Sequence, residues 1–121
     1  MRIAHLLPLA LLASCATVPP ASGPVPLDQP QRVGRFVVTP LAVEEDSRCP
    51  MNARCVWAGR AVVRVAIDGG GERLERNLVL GEPASPGIVL DSVTPDKVAG
   101  ADAPAMDYRF HFSPAAVPLT R

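Results

Sequence analysis

The chain has 121 residues, and its twelve basic side chains equal its twelve acidic ones in number. A chain of this length most often folds as one domain, and with 48% hydrophobic residues it is too apolar to be wholly disordered. A net charge of zero argues against nucleic acid as a partner, because phosphate binding requires clustered positive charge. Aromatic residues make up 4% of the chain, so we expect a mostly aliphatic core.

The first residues have the organisation of an export signal. A positive start at Arg2 precedes an apolar segment, residues 3–13, which is interrupted by His5 and Pro8. This segment is too short for a membrane helix, which needs about twenty apolar residues. We therefore predict a signal peptide over residues 1–14.

The segment Leu-Ala-Ser-Cys, residues 12–15, resembles the lipobox of bacterial lipoproteins. In that motif the signal is cut just before a cysteine whose sulfur carries lipid, which implies that Cys15 is the first mature residue. Two or three acyl chains anchor a protein far more firmly than one. Ala16 in place of an aspartate is typical of lipoproteins sent to the outer membrane, so we expect an outer-membrane protein that faces the periplasm. An ordinary secretory signal is the alternative.

A proline-rich segment follows this cysteine. Residues 16–30 contain five prolines in fifteen positions, a composition that favours an extended backbone without internal hydrogen bonds. At roughly 3 Å per residue, such a spacer reaches at most about 45 Å. We therefore assign residues 15–31 to the lipidated cysteine and a tether, and residues 32–121 to the folded domain.

The folded part has the period of two residues that is typical of strands. The clearest strand is predicted over residues 55–68, where Arg60 and Arg64 face solvent and a bend is expected near Gly59. Its inward residues are Cys55, Trp57, Gly59, Ala61, Val63, Val65 and Ile67. The glycines at 69–71 predict a tight turn into a return strand over residues 72–80.

Three further regions have strand character. One lies around residues 36–43, as two strands or as one kinked at Pro40; the others are residues 88–94 and 106–112. In the last, Tyr108, Phe110 and Phe112 alternate with polar residues and are expected to complete the core. The pattern predicts an all-β fold, a small antiparallel β-sandwich (Ig-like) or open barrel of about six or seven strands.

Two cysteines remain if Cys15 carries lipid. Cys49 and Cys55 can close a small ring in an oxidising compartment, which stabilises the fold by about 2 kcal/mol. The segments Asp-Ser-Arg-Cys-Pro and Cys-Val-Trp-Ala-Gly, within residues 46–59, resemble a pattern in small, uncharacterised bacterial exported proteins and lipoproteins. The resemblance extends loosely to residues 93–95 and to the Tyr108 strand. It implies a Cys49–Cys55 disulfide and a small β domain, and it implies no activity.

Five residues are candidate binding residues: Arg48, Arg54, Trp57, Arg60 and Arg64. Arginines on one strand face could bind a carboxylate-rich partner such as an envelope protein or peptidoglycan. The simpler interpretation is that they keep an outer face soluble and protect a sheet edge.

Metal binding and catalysis have weaker support. The acidic residues 44–46 stand beside two potential thiolates, Cys49 and Cys55, and Met51, Met106 and His111 elsewhere in the chain add soft ligands that suit copper(I). Neighbouring residues of a strand point to opposite faces, however, and the cysteine spacing is not the C-x-x-C of zinc or thiol-redox sites. No nucleophile elbow or phosphate loop is present in the sequence. We expect no metal, no cofactor and no catalytic residue.

These observations predict a lipid-anchored envelope protein that acts as a non-catalytic interaction or structural module, with the membrane as its first partner. One alternative is an inhibitor of an envelope enzyme that presents the loop 50–54. Another is a copper-binding or thiol-redox protein of the periplasm.

Overall fold

The computed structural model describes residues 19–115, so the predicted signal peptide and Cys15 lie outside the described residues. Within that range the chain forms seven strands and a short 3-10 helix, Ala105–Asp107. The strands are β1 (Gln31–Val33), β2 (Phe36–Asp46), β3 (Ala61–Gly69), β4 (Glu72–Val79), β5 (Pro83–Ala84), β6 (Ile88–Thr94) and β7 (Arg109–Pro114). One antiparallel sheet has the order β1-β2-β3-β4 and the other β5-β6-β7. The predicted all-β antiparallel sandwich is confirmed.

The core lies between the two sheets and is mainly aliphatic. Its fully buried larger side chains include Val38, Val63, Val65, Ile67, Leu78, Ile88, Leu90, Phe110 and Phe112. The predicted inward positions Ala61, Val63, Val65 and Ile67 are confirmed as buried, and on the opposite face Val62 and Ala66 are buried as well while Arg64 is exposed. Tyr108 is half-buried and stacks on Phe110, with ring centroids 5.9 Å apart.

The prediction that a strand begins at residue 55 and runs to residue 68 is wrong in its first part. β3 begins at Ala61, and every residue from Met51 to Arg60 is exposed. Gly59 adopts a left-handed backbone (φ 67°), and a Cβ there would collide with the Ser47 carbonyl. Because Gly59 has this backbone conformation and lies against Ser47, the residues before Arg60 do not continue β3. The period of two in Cys55, Trp57 and Gly59 therefore does not reflect a strand.

Two further boundaries differ from the prediction. Residues 36–46 form one strand, and its register with β3 shifts between Pro40 and Ala42 because proline has no N–H for the ladder. The last strand begins at Arg109, since the preceding residues form the 3-10 helix, in which the Asp107 N–H donates to Pro104.

Gln31 joins the two sheets from within the core. Its side chain is 1% exposed; Nε2 donates to the Phe112 carbonyl at 2.8 Å, and Oε1 accepts from the Phe112 N–H at 3.0 Å. The primary amide thus pairs with the edge of β7 as another strand would. Within residues 19–115 no buried side-chain nitrogen or oxygen lacks a partner.

Part of the segment predicted as a tether packs on the sandwich. Val25 is buried, and its backbone N–H and C=O form two 2.9 Å hydrogen bonds with the backbone of Phe110. These bonds cover part of the edge of β7. Ala21 accepts from the Arg32 N–H at 2.9 Å. The folded body therefore includes residues N-terminal to Arg32, and burial of the apolar Val25 side chain favours this packing.

Candidate functional site

An ion pair at the end of β2 lies where the two sheets meet. Arg48 Nε donates to Asp46 Oδ1 at 2.8 Å, and Nη2 donates to Oδ2 at 3.0 Å. Both side chains are largely buried, at 14% and 13% exposure. This bidentate arrangement has the geometry in which guanidinium and carboxylate interact most strongly.

The same pair connects to the second sheet. Arg48 donates to the Val93 carbonyl at 2.9 Å and to the Pro95 carbonyl at 3.1 Å, at the end of β6. The Tyr108 hydroxyl donates to Asp46 Oδ2 at 2.8 Å, just before β7. The Lys97 ammonium donates to the backbone carbonyl of Asp46. We call Asp46, Arg48, Lys97 and Tyr108 the bracing cluster, because they fix the β2 end to the loops of the other sheet.

The charges of the bracing cluster reinforce one another. The hydrogen bonds from Arg48 lower the pKa of Asp46 from 3.8 to about 2, against the opposing effect of burial, and Tyr108 adds to the lowering. The bond to Asp46 raises the pKa of Arg48. Burial, followed by the hydrogen bond to Asp46, raises the pKa of the Tyr108 hydroxyl. At neutral pH Asp46 is therefore ionised and Tyr108 is a neutral donor.

The bracing cluster brings together segments that are distant from one another in the sequence. Asp46 ends β2 and Arg48 follows it, Val93 and Pro95 lie at the end of β6, and Tyr108 directly precedes β7. The side-chain nitrogens of Arg48 all donate within the chain. This arginine, predicted as a candidate binding residue, therefore acts in the fold as a brace.

A groove of about 480 Å³ lies beside the bracing cluster and is lined by residues 95–98 and 101–104 in addition to the cluster itself. Three exposed carboxylates, those of Asp96, Asp102 and Asp107, border it. Their charge favours cationic groups in the groove. No sequence pattern signals this groove, because the loop 95–104 has no periodicity and its partners are far away in the chain.

The Cys49–Cys55 disulfide closes the loop between β2 and β3, with its Cα atoms 5.8 Å apart. Backbone bonds hold the loop from both sides: the Met51 N–H donates to the Lys97 carbonyl at 2.8 Å, and the Cys49 N–H donates to Ala58 at 3.1 Å. The Asn52 side chain accepts from the Ala99 N–H at 2.9 Å. The loop is therefore braced at its base and near its tip.

Three large apolar side chains of this loop face solvent. Val56 is 91% exposed, Trp57 83% and Met51 72%. Trp57 was predicted to face inward, and its exposure follows from its place in the loop outside β3. An exposed tryptophan on this loop does not contribute to the packing of the core. Large exposed apolar side chains of this kind are typical of contact sites with other molecules. We call residues 51–57 the braced loop.

The predicted arginine face is mostly paired. Arg60 Nε lies 2.8 Å from Glu45 Oε2, and Arg64 Nε lies 3.4 Å from Glu44 Oε1. Arg60 precedes β3 and is not part of one strand with Arg64. Arg54 is exposed at the tip of the braced loop. Of the five predicted binding residues, Arg54 and Trp57 lie together on that loop.

The groups considered for metal binding do not converge. His111 Nδ1 lies 3.1 Å from Asp91, on the outer side of the second sheet. Within residues 19–115 there is no group of three or more histidine, cysteine, aspartate or glutamate side chains that could hold a metal ion. In the same range, no helix has the length and apolar character needed to cross a bilayer.

Comparisons of the chain with protein-family models, with curated proteins and with solved structures found no match.

Proposed function

We propose that this protein is a lipid-anchored, non-catalytic interaction module of the bacterial outer membrane that faces the periplasm and binds an envelope partner through the braced loop. The observation that carries the proposal is the exposure of Val56, Trp57 and Met51 on a loop closed by a disulfide. A loop already fixed in one conformation loses little entropy when it binds, so its contacts contribute more fully to affinity.

The position of the braced loop supports this function. Ala21, close to the start of the described chain, bridges to Gln31, which pairs with Val38 on β2. From Val38 the strand runs to Asp46 at the braced loop, a length of about 25 Å at roughly 3.3 Å per residue. An anchor on the N-terminal side therefore attaches at one end of the sandwich, while the braced loop lies at the other, turned away from the membrane.

The anchor is tested by processing and location. The mature protein should begin at Cys15 and carry the mass of a diacylglycerol, with or without a further acyl chain, in intact-protein mass spectrometry. The Cys15→Ala variant should leave the membrane fraction. An unmodified Cys15 in a membrane-free protein would refute the anchor and leave the interaction proposal to its own test.

The interaction is tested by a photo-crosslinking amino acid in place of Trp57 in living cells. We expect a discrete adduct of higher mass, either with an envelope protein or with sedimenting peptidoglycan. The matched control places the same amino acid at Arg35, an exposed position in the turn at the opposite end of β2. Equal labelling from both positions, or none from position 57, would argue against the proposal.

Inhibition of an envelope enzyme is a second candidate, favoured by the exposure of every residue from Met51 to Arg54 on this disulfide-closed loop. If the crosslinked partner is an enzyme, adding the purified protein should lower its activity in proportion to the complex formed. The Arg54→Ala variant should weaken this effect if the loop enters the cleft. An unchanged enzyme would leave binding alone as the function.

A further inference from the structure

β4 is an open edge of the four-stranded sheet. Its partner in the described chain is β3, and its first six residues, Glu72–Asn77, are all exposed. Of the other edge strands, β1 and β5 are short, with three and two residues, and Val25 and Gln31 form hydrogen bonds to β7. Within residues 19–115, no backbone hydrogen bond reaches β4 from outside its own sheet between residues 72 and 77.

The hairpin turn determines which backbone groups face outward. Gly70 and Gly71 both have positive φ (63° and 83°), and they close a two-residue turn on the pair Gly69 and Glu72. Such a turn makes its flanking residues a hydrogen-bonded pair, and the bonding direction then alternates along the strand. The N–H and C=O groups of Arg73, Glu75 and Asn77 therefore point away from β3 and are free to pair with another strand.

The exposed residues of this edge read Glu72, Arg73, Leu74, Glu75 and Arg76. Placed antiparallel to an identical strand with Leu74 opposite Leu74, each Glu72 faces Arg76 of the other copy and each Arg73 faces Glu75. The sequence of charges is thus complementary to itself, and the outward backbone groups of Arg73 and Glu75 face each other. We propose that β4 is a dimerisation edge, on which a second copy of this chain adds antiparallel about a two-fold axis at Leu74.

Neighbouring registers are disfavoured by charge. Outward backbone groups pair only when the register moves in steps of two, and those shifts place Arg73 opposite Arg73 or Glu75 opposite Glu75. A parallel in-register pairing sets every residue against its own charge. Like charges directly opposite destabilise a strand pair, and opposite charges stabilise it by about 0.2–1 kcal/mol per pair. The Leu74 register is therefore the favoured one.

The side chains needed for this pairing are available. Leu74 is 37% exposed although its cross-strand neighbour Ile67 is buried. In the described chain, Arg73 forms an ion pair with Asp68 at 3.3 Å, and its guanidinium keeps further donors for Glu75 of the second copy. β4 contains no proline, a residue that blocks strand addition at a sheet edge.

Cysteine crosslinking tests the axis directly. In the full chain, Leu74→Cys should form a disulfide-linked dimer in the oxidising compartment, because the two-fold axis places the two sulfurs opposite each other. The matched control is Asn77→Cys on the same strand, whose two copies would lie about 20 Å apart at roughly 3.4 Å per residue, beyond disulfide reach. Equal crosslinking by both variants, or none by Leu74→Cys, would overturn the proposal.

Charge exchange tests the register. Light scattering or equilibrium sedimentation of the full chain in detergent should show a dimer for the wild type. Glu72→Arg and Arg76→Glu should each raise the dimer dissociation constant at least about tenfold, since each change creates two like-charge contacts per dimer. The double variant, or a mixture of the two single variants, should restore association. A monomeric wild type, or single variants that associate like the wild type, would refute the proposal, and far-UV circular dichroism verifies that each variant folds.

Discussion

Among the described residues, one polar connection between the sheets runs through Gln31 and another through Asp46 and Arg48, and the two differ in kind. Gln31 is neutral and fully buried, and it satisfies both backbone groups of Phe112. The Asp46–Arg48 pair is charged, lies beside a groove, and holds loop carbonyls at the opposite end of β2. A neutral amide costs little to bury when all its bonds are made, whereas a charged pair needs excellent geometry to offset its desolvation. The connection through Gln31 is therefore independent of pH. The connection through Asp46 and Arg48, at the end that carries the braced loop, depends on the ionisation of Asp46.

The largest effect is expected from Gln31→Leu. The leucine fills a similar volume but leaves a buried N–H and a buried C=O of Phe112 unpaired, so the free energy of unfolding should fall by about 2–4 kcal/mol. Urea denaturation of the variant measures this loss. Gln29→Leu is the matched control, because Gln29 is exposed and its replacement should change stability by less than about 0.5 kcal/mol. Equal effects of the two changes would show that the amide does not join the sheets.

A smaller loss is expected from Asp46→Ala. Arg48 then remains largely buried without its carboxylate, and Tyr108 loses its acceptor, so the free energy of unfolding should fall by about 2 kcal/mol. Its neighbour Glu45 forms an exposed pair with Arg60, and Glu45→Ala should cost less than about 0.5 kcal/mol. A loss as large for Glu45→Ala as for Asp46→Ala would contradict the distinction between brace and surface pair.

The pH dependence separates the two connections. The folded pKa of Asp46, about 2, lies below its ordinary 3.8, so its ionisation stabilises the protein above pH 4. That contribution, about 1 kcal/mol after allowance for solvent screening, should be lost as the pH falls from about 4 to 2. The stability gap between the wild type and Asp46→Asn should therefore narrow over this interval. The gap between the wild type and Gln31→Leu should stay constant, because an amide does not titrate.

The smallest effect on folding is expected from Trp57→Ala. A tryptophan in the core would cost about 3–5 kcal/mol to remove, but this one is exposed and joins neither sheet, so the change should stay below about 0.5 kcal/mol. Thermal unfolding measures it. A large destabilisation would mean that Trp57 supports the fold. That result would contradict the inference that its exposed side chain serves as a contact surface.

The sequence was most informative where contacts are local or strictly periodic. Alternation from Ala61 to Ile67 predicted the central strand, and the cysteine spacing predicted the closed loop. The same alternation misled at Cys55 and Trp57, because period-two spacing does not reveal that Gly59 passes against the Ser47 carbonyl. Gln31 meets Phe112 across 81 positions of sequence, and no local pattern signals such a contact.

The candidate site was harder to predict than the fold. The sequence predicts Arg48 as a possible binding residue, because a single sequence does not show that its donors reach Val93 and Pro95. Tyr108 was assigned to the core, and its hydroxyl in fact ends at Asp46. The groove depends on the path of the loop 95–104, which only the assembled sheets determine.

The bridge between Ala21 and Gln31 also limits how far the domain can travel. If lipid holds Cys15, the segment between Cys15 and Ala21 spans at most about 20 Å at roughly 3.5 Å per residue. A spacer that extended to Pro30 would reach more than twice as far. With the shorter segment, the domain would stay close to the bilayer surface, and only partners that approach within a few nanometres of the bilayer would come within its range.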